Sequence, residues 1–214
     1  MKTLVTGASG ATGRLLVEQL LQRGEEVRVI VRPGSTLPER IGSHENVSII
    51  EANINECSAA ELSHHLKGCG AVASCLGHNL TVKGLFGPPR RLVTDAVREL
   101  CNAVRINTPD HPVKVVLMNT TGNTNRDLDE HRSPAEKVVV SLIGILLPPQ
   151  KDNEKAAEYL RVDVGQGDQE IEWAAVRPDS LINEQEATEY EVYPSPVRSP
   201  IFAPGKTSRI NVAH

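Results

Sequence analysis

Hydrophobic positions along the chain switch repeatedly between two periods. A short β-branched run at Lys2–Thr6 gives way to a helical pattern over 12–22, where Leu16, Val17, Leu20 and Leu21 share one face. Gly24 ends that pattern, and Glu26–Val31 returns to a strand. Further strands are predicted at Val47–Glu51, 70–75, Val113–Met118 and Ile171–Val176, with helices between them at 58–66, 91–105, Pro134–Leu146 and 152–164. Parallel neighbours need crossover connections, so this alternation predicts an α/β fold with a doubly wound, mostly parallel sheet. All of 1–214 is read as a single domain. The polar loops 33–46, 77–90, 119–133 and 183–206 all follow strands. In open α/β sheets ligands sit beyond the carboxyl ends of strands, so 77–90, 119–133 and 183–206 are expected on the substrate side. Pro194, Pro196, Pro200 and Pro204 predict that the last of these is extended.

Composition narrows the function classes. The 214 residues are 39% hydrophobic and 23% charged, which fits a globular chain with a proper core. Aromatics reach only 3%, so that core must be aliphatic. A net charge of −4 with no Lys/Arg stripe argues against nucleic-acid binding. No apolar run is long enough to span a membrane, and a strand pattern that starts at Lys2 is read as leaving no room for a signal peptide. Cys57, Cys69, Cys75 and Cys101 lack CxxC spacing and read as reduced, mostly buried thiols, which makes the cytoplasm the expected location. No metal site is expected: His64 and His65 are adjacent on a predicted helix and face different ways.

The chemistry starts at Thr6-Gly7-Ala8-Ser9-Gly10-Ala11-Thr12-Gly13, between the first strand and an amphipathic helix. Gly7 suits the tight exit from the strand, Gly10 the close approach of a pyrophosphate, and Gly13 the packing of helix on sheet. Amides at the start of the helix then face the phosphates, with Ala11 among them and with Ser9 and Thr12 as hydroxyl donors. An NAD site usually has an acid after the second strand to hold the ribose 2′-hydroxyl. Here Arg32 stands in that place, with Ser35 near it. A guanidinium there matches a 2′-phosphate and favours NADP(H), with NAD(H) as the other candidate; the plainer reading is a solvated surface arginine.

Three further segments carry a family resemblance: Glu51-Ala52-Asn53-Ile54, Ala71-Val72-Ala73-Ser74-Cys75-Leu76-Gly77-His78, and Trp173-Ala174-Ala175-Val176-Arg177-Pro178. With the glycine turn they resemble the atypical short-chain dehydrogenase/reductases, the Rossmann-fold NAD(P)-binding group that includes biliverdin/flavin reductase and NmrA-like proteins. The resemblance implies that Asn53 and Ile54 border the adenine, where relatives commonly have Asp and an aliphatic residue. It places Cys75, Leu76 and Gly77 beside the ribose, with plain core as the other reading for Cys75. It puts Pro178 and Asp179 on the nicotinamide side, while Arg177 serves either that side or a structural ion pair.

Members of this group use a Ser or Thr after the fifth strand and a Tyr-x-x-x-Lys pair on the next helix. Asn119-Thr120-Thr121-Gly122 supplies the hydroxyl; adjacent threonines point to opposite sides, and Thr121 is the candidate. Lys155 matches the lysine half, as a ribose contact or as part of a solvated helix face, but Lys151 replaces the tyrosine. Loss of that acid points to an acceptor that needs no strong protein acid, such as a flavin or quinone, with protonation from water, His78, Thr121 or Asp152. The implied activity is NADP(H)-dependent reduction of a small flat acceptor by a monomer or homodimer. The alternative is a non-catalytic NADP(H) sensor of NmrA-like type. In relatives a stretch like 207–214 precedes a terminal helix, so part of the sheet is expected to be open, with a partner chain as one candidate cover.

Overall fold

The computed structural model describes residues 1–78, 81–130 and 132–214. Its centre is a six-stranded, all-parallel sheet of β1 (Lys2–Thr6), β2 (Glu26–Val31), β3 (Val47–Glu51), β4 (Ala71–Ser74), β5 (Val113–Met118) and β6 (Ile171–Val176). The strand order is β3-β2-β1-β4-β5-β6. The order reverses between β1 and β4, and their carboxyl ends open the crevice where an α/β sheet of this order takes its ligand.

Two aliphatic cores flank the sheet. On one face Leu4, Val72, Val115 and Leu117 pack with α3 (Ala59–Leu66), α5 (Leu92–Ile106) and α7 (Pro148–Tyr159). α5 dominates this layer because Val93, Ala96, Val97, Leu100, Cys101 and Val104 recur at helical spacing and are all buried. On the other face Val5, Val29, Val31 and Ala73 pack with Val17 and Leu21 of α1 (Ala11–Gln22). At the β5–β6 end of this second face Ala174 and Val176 are exposed, and Val116 and Met118 are half-buried.

The structure adds short elements that the hydrophobic pattern does not predict. α2 (Glu39–Gly42) lies in the 33–46 loop and α4 (Val82–Phe86) in the 77–90 loop. β7 (Ser180–Ile182) and β8 (Lys206–Ser208) pair as a separate two-stranded parallel sheet. α8 (Arg209–Ala213) follows and docks on α1, where Gln19 donates to the Ile210 carbonyl and Arg23 to that of His214. α7 also begins four residues earlier than predicted, at Pro148, and continues through a π-helical turn at Leu160–Val164. Proline needs no amide partner in a helix's first turn, so Pro148 and Pro149 start this helix where an interior position would have broken it. Among the described residues, no helix is long and apolar enough to cross a membrane, and no group of His, Cys, Asp or Glu could hold a metal ion.

Candidate functional site

The glycine turn divides its work among three positions. Gly7 has φ +75°, and a Cβ there would sit 2.5 Å from the Cys75 carbonyl oxygen. A Cβ at Gly13 would collide with the Gly7 carbonyl, so both positions are set by the packing of α1 and β4 around β1. Gly10 differs. It is exposed, and a Cβ there would approach only the Gly7 oxygen, at 3.1 Å. Nothing in the chain itself demands glycine so strongly at this place, which is where an outside group would meet the backbone. Gly10 is also the N-cap of α1, with no side-chain cap and no acid in the first turn. The first amides of the helix thus have no acceptor within it. Ser9 and Ala11 are exposed, whereas Thr12 is turned inward at 5% exposure.

Beside this turn β2 ends in Arg32-Pro33-Gly34-Ser35. The Ser35 amide donates to the Arg32 carbonyl at 2.9 Å, and Gly34 has φ +75°, which is the geometry that Pro-Gly favours in a type II turn. Arg32 is exposed at the carboxyl edge of the sheet, and its guanidinium makes no hydrogen bond or ion pair with any described residue. It is a free cation one strand away from the open helix end.

Residues expected along the adenine and ribose divide into side-chain and backbone roles. The Asn53 amide donates to Glu56 at 2.7 Å, so its side chain is held in its own 3-10 turn, Ile54–Glu56. Ile54 is 4% exposed and belongs to the core under α5. Burial of the Cys75 thiol pushes it up to about 12, which keeps it from acting as a thiolate. Its backbone, however, lies on the crevice against Gly7, and its amide donates to the Thr6 carbonyl. Leu76 packs on the core and Gly77 is exposed.

The end of β5 is built as a rigid shelf. The Thr121 amide and hydroxyl both donate to the Pro178 carbonyl, at 3.3 and 3.4 Å. Arg132 donates to the carbonyls of Thr121 and Gly122. Asn119 donates to the Asn153 carbonyl at 3.0 Å, and Gln150 to the Asn123 side chain at 2.7 Å, which fastens the shelf to α7. Arg177 takes the structural reading: it pairs with buried Glu130 at 2.7 Å and donates to the carbonyls of Asn123 and Pro194. A cavity of about 210 Å³ opens between this shelf, α6 (Pro134–Leu146) and residues 200–204. A larger groove of about 1730 Å³ runs along edge strand β6 and the extended segment 184–198. Thr121 and Asp179 line both, and among the described residues none of the glycine turn lines either.

His78 and Asp152 are partners. His78 Nε2 lies 2.8 Å from Asp152 Oδ2, with side chains 5% and 0% exposed. The same carboxylate accepts from the amides of Val93 and Thr94 and from the Thr94 hydroxyl, so it caps α5 from a neighbouring helix. Because Asp152 and Ala156 turn inward on α7, Lys155 is left on an exposed flank, its side chain with no hydrogen bond or ion pair to any described residue. The structure does not bring Lys155 to Thr121. Lys151, in the place of the missing tyrosine, is exposed as well. Sequence reasoning missed the roles of Asn119, Asn123, Gln150 and Arg132; a cluster of amide side chains just past a strand was the available signal.

Strand order, crevice and glycine turn together define a Rossmann-type nucleotide-binding protein. The chain belongs to the NAD(P)H-binding family, whose model matches residues 7–214, and a nicotinamide dinucleotide is its cofactor. No curated protein matches the sequence. Among solved structures it is similar to a short-chain dehydrogenase/reductase from Veillonella parvula in complex with NADP, at 17% identity and TM-score 0.66, over 99% of this chain and 83% of that one. It is also similar to a putative NADH-flavin reductase from Streptococcus pneumoniae, at 20% identity and TM-score 0.60, over 100% and 89% of the two chains. An oxidoreductase from Lactococcus lactis aligns at 17% identity and TM-score 0.65, over 100% and 81%. At these identities the likeness concerns the fold.

Proposed function

We propose that this protein is an NADP(H)-dependent oxidoreductase that reduces a small, flat acceptor of the flavin or quinone type. The observation that carries the cofactor half is the free Arg32 guanidinium at the end of β2, beside an uncapped α1 that begins at exposed Gly10. The amides of Ala11 to Gly13 hold the pyrophosphate, and Arg32 takes the 2′-phosphate. The backbones of Asn53, Cys75, Leu76 and Gly77 border the adenosine, and Pro178 borders the nicotinamide side. The bound nicotinamide supplies a hydride.

The acceptor half is supported by the absence of an acid where relatives have one. Lys151 replaces the tyrosine, Thr121 spends its proton on the Pro178 carbonyl, and His78 is sealed against Asp152. An acceptor that takes hydride on a conjugated ring and its proton from water fits this set of residues. The balance is then NADPH, acceptor and one proton giving NADP+ and the two-electron-reduced acceptor. Loops 77–90, 119–133 and 183–206 form the acceptor side, of which residues 79, 80 and 131 lie outside the described residues. A cytoplasmic setting suits four free cysteines.

Titration with NADPH and NADH, followed by turnover assays with flavins, quinones and aldehydes, tests this reading. Tighter binding of NADPH and oxidation of it by a flavin or quinone are expected. Tight binding with no turnover of any acceptor overturns the reductase and leaves a cofactor-binding regulator.

A further inference from the structure

One cation near the cofactor site has no role in the fold. Arg14 is in the first turn of α1, is exposed, and its side chain makes no hydrogen bond or ion pair with any described residue. A positive charge at a helix N-terminus opposes the helix dipole, so this position disfavours arginine unless an anion comes to it. The ordinary remedy would be Glu18, four residues on and on the same face. Glu18 is already taken: Arg40 of α2 donates to its Oε1 from Nε at 2.9 Å and from the terminal nitrogen at 2.6 Å.

That ion pair also orients the helix. It shows that the Arg14–Glu18 flank of α1 faces the segment that follows β2, while Gln19 and Arg23 hold the other flank against α8. Arg14 is one turn nearer the N-terminus of α1 than Glu18, about 6 Å along the axis. In a parallel sheet that direction leads to the carboxyl end of β2, where Arg32 stands unpaired. Both residues, exposed and with unpaired side chains, thus lie toward the carboxyl-end rim of the sheet where the crevice opens.

We propose that Arg14 acts with Arg32 on the 2′-phosphate, as a second residue that selects NADP(H) over NAD(H). A phosphate monoester carries about −1.5 to −2 charges at neutral pH, more than one guanidinium neutralises. The inference rests on the cofactor reading above and extends it to a residue that the glycine pattern does not name.

The test measures dissociation constants of the full chain and of Arg14→Gln and Arg14→Lys for NADPH, NADH and 2′,5′-ADP. Arg14→Gln is expected to weaken NADPH and 2′,5′-ADP about tenfold while NADH moves less than about twofold. Arg14→Lys recovers part of the loss, because it restores the charge without the planar fork. Equal losses for NADPH and NADH, or no loss, overturn the assignment. If the unaltered chain binds NADPH no better than NADH, it is the NADP(H) reading that fails, and this inference goes with it. Position 14 is exposed, so melting temperatures within a few degrees of one another are expected; a large drop in both variants would assign Arg14 to the fold instead.

Discussion

Gly10 and Gly13 lie three positions apart, yet they answer to different demands. A methyl group at Gly13 would run into the carbonyl of Gly7 and crowd the Ala8 Cα, backbone atoms that cannot swing aside as a side chain would. Gly13→Ala is therefore expected to cost about 1–3 kcal/mol, seen as a lower denaturation midpoint. A side chain at Gly10 meets only one atom, and otherwise extends into the space beyond the helix end. Gly10→Val should leave the fold in place and abolish binding of NADPH and NADH together. A Gly10→Val chain that keeps its affinity would contradict the pyrophosphate assignment. Arg32 gives the complementary result, since it is aimed at one phosphate only. Arg32→Ala should weaken NADPH more than NADH by on the order of 1–3 kcal/mol, measured by titration, and equal losses would remove it from the role.

At the scale of elements, α7 shows what pattern reading reaches and where it stops. Its helical character was legible from 152–164, but its true start depends on Pro148 and Pro149 being tolerated in a first turn. Its rotation about its own axis was not legible. That is decided by Asp152, whose partners His78, Val93 and Thr94 lie 74, 59 and 58 residues away in the chain. Local sequence carries no record of such distant pairs, and so Lys155, which matches the lysine half of the family pattern, falls on the exposed flank. The arrangement makes Asp152 a stability residue. Asp152→Ala would leave the first amides of α5 and the His78 ring buried without their acceptor, at an expected cost of about 3–5 kcal/mol. Urea denaturation checks this; a loss below about 1 kcal/mol would mean that the carboxylate is not the tie between α5, α7 and the β4 loop. Asp152→Asn, which can still accept hydrogen bonds, should lose less.

For the whole molecule, the six parallel strands were legible because each is a separate apolar run between turn residues. β7 and β8 were not, since three-residue strands carry no measurable period and pair only once the 183–206 segment has folded back. What joins the β6 edge of the sheet to the rest is partly ionic. Asp168, in the turn before β6, pairs with Arg105 near the end of α5 at 2.7 Å and accepts from the amides of Glu170 and Ile171. Burial works to raise the Asp168 carboxyl, but the guanidinium and the two amides outweigh it and hold the group below the usual aspartate range. A carboxyl lowered in the folded state stabilises fully above its unfolded value, near pH 4, and that contribution is lost as pH falls through the folded value. Asp168→Asn should consequently be less stable than the parent chain at about pH 6, with the gap closing as pH falls through the folded value of Asp168, beyond which both carry a neutral group. Denaturation midpoints across that range give the comparison. A gap that persists undiminished in acid would mean that Asp168 holds β6 to α5 by hydrogen-bond geometry rather than by charge.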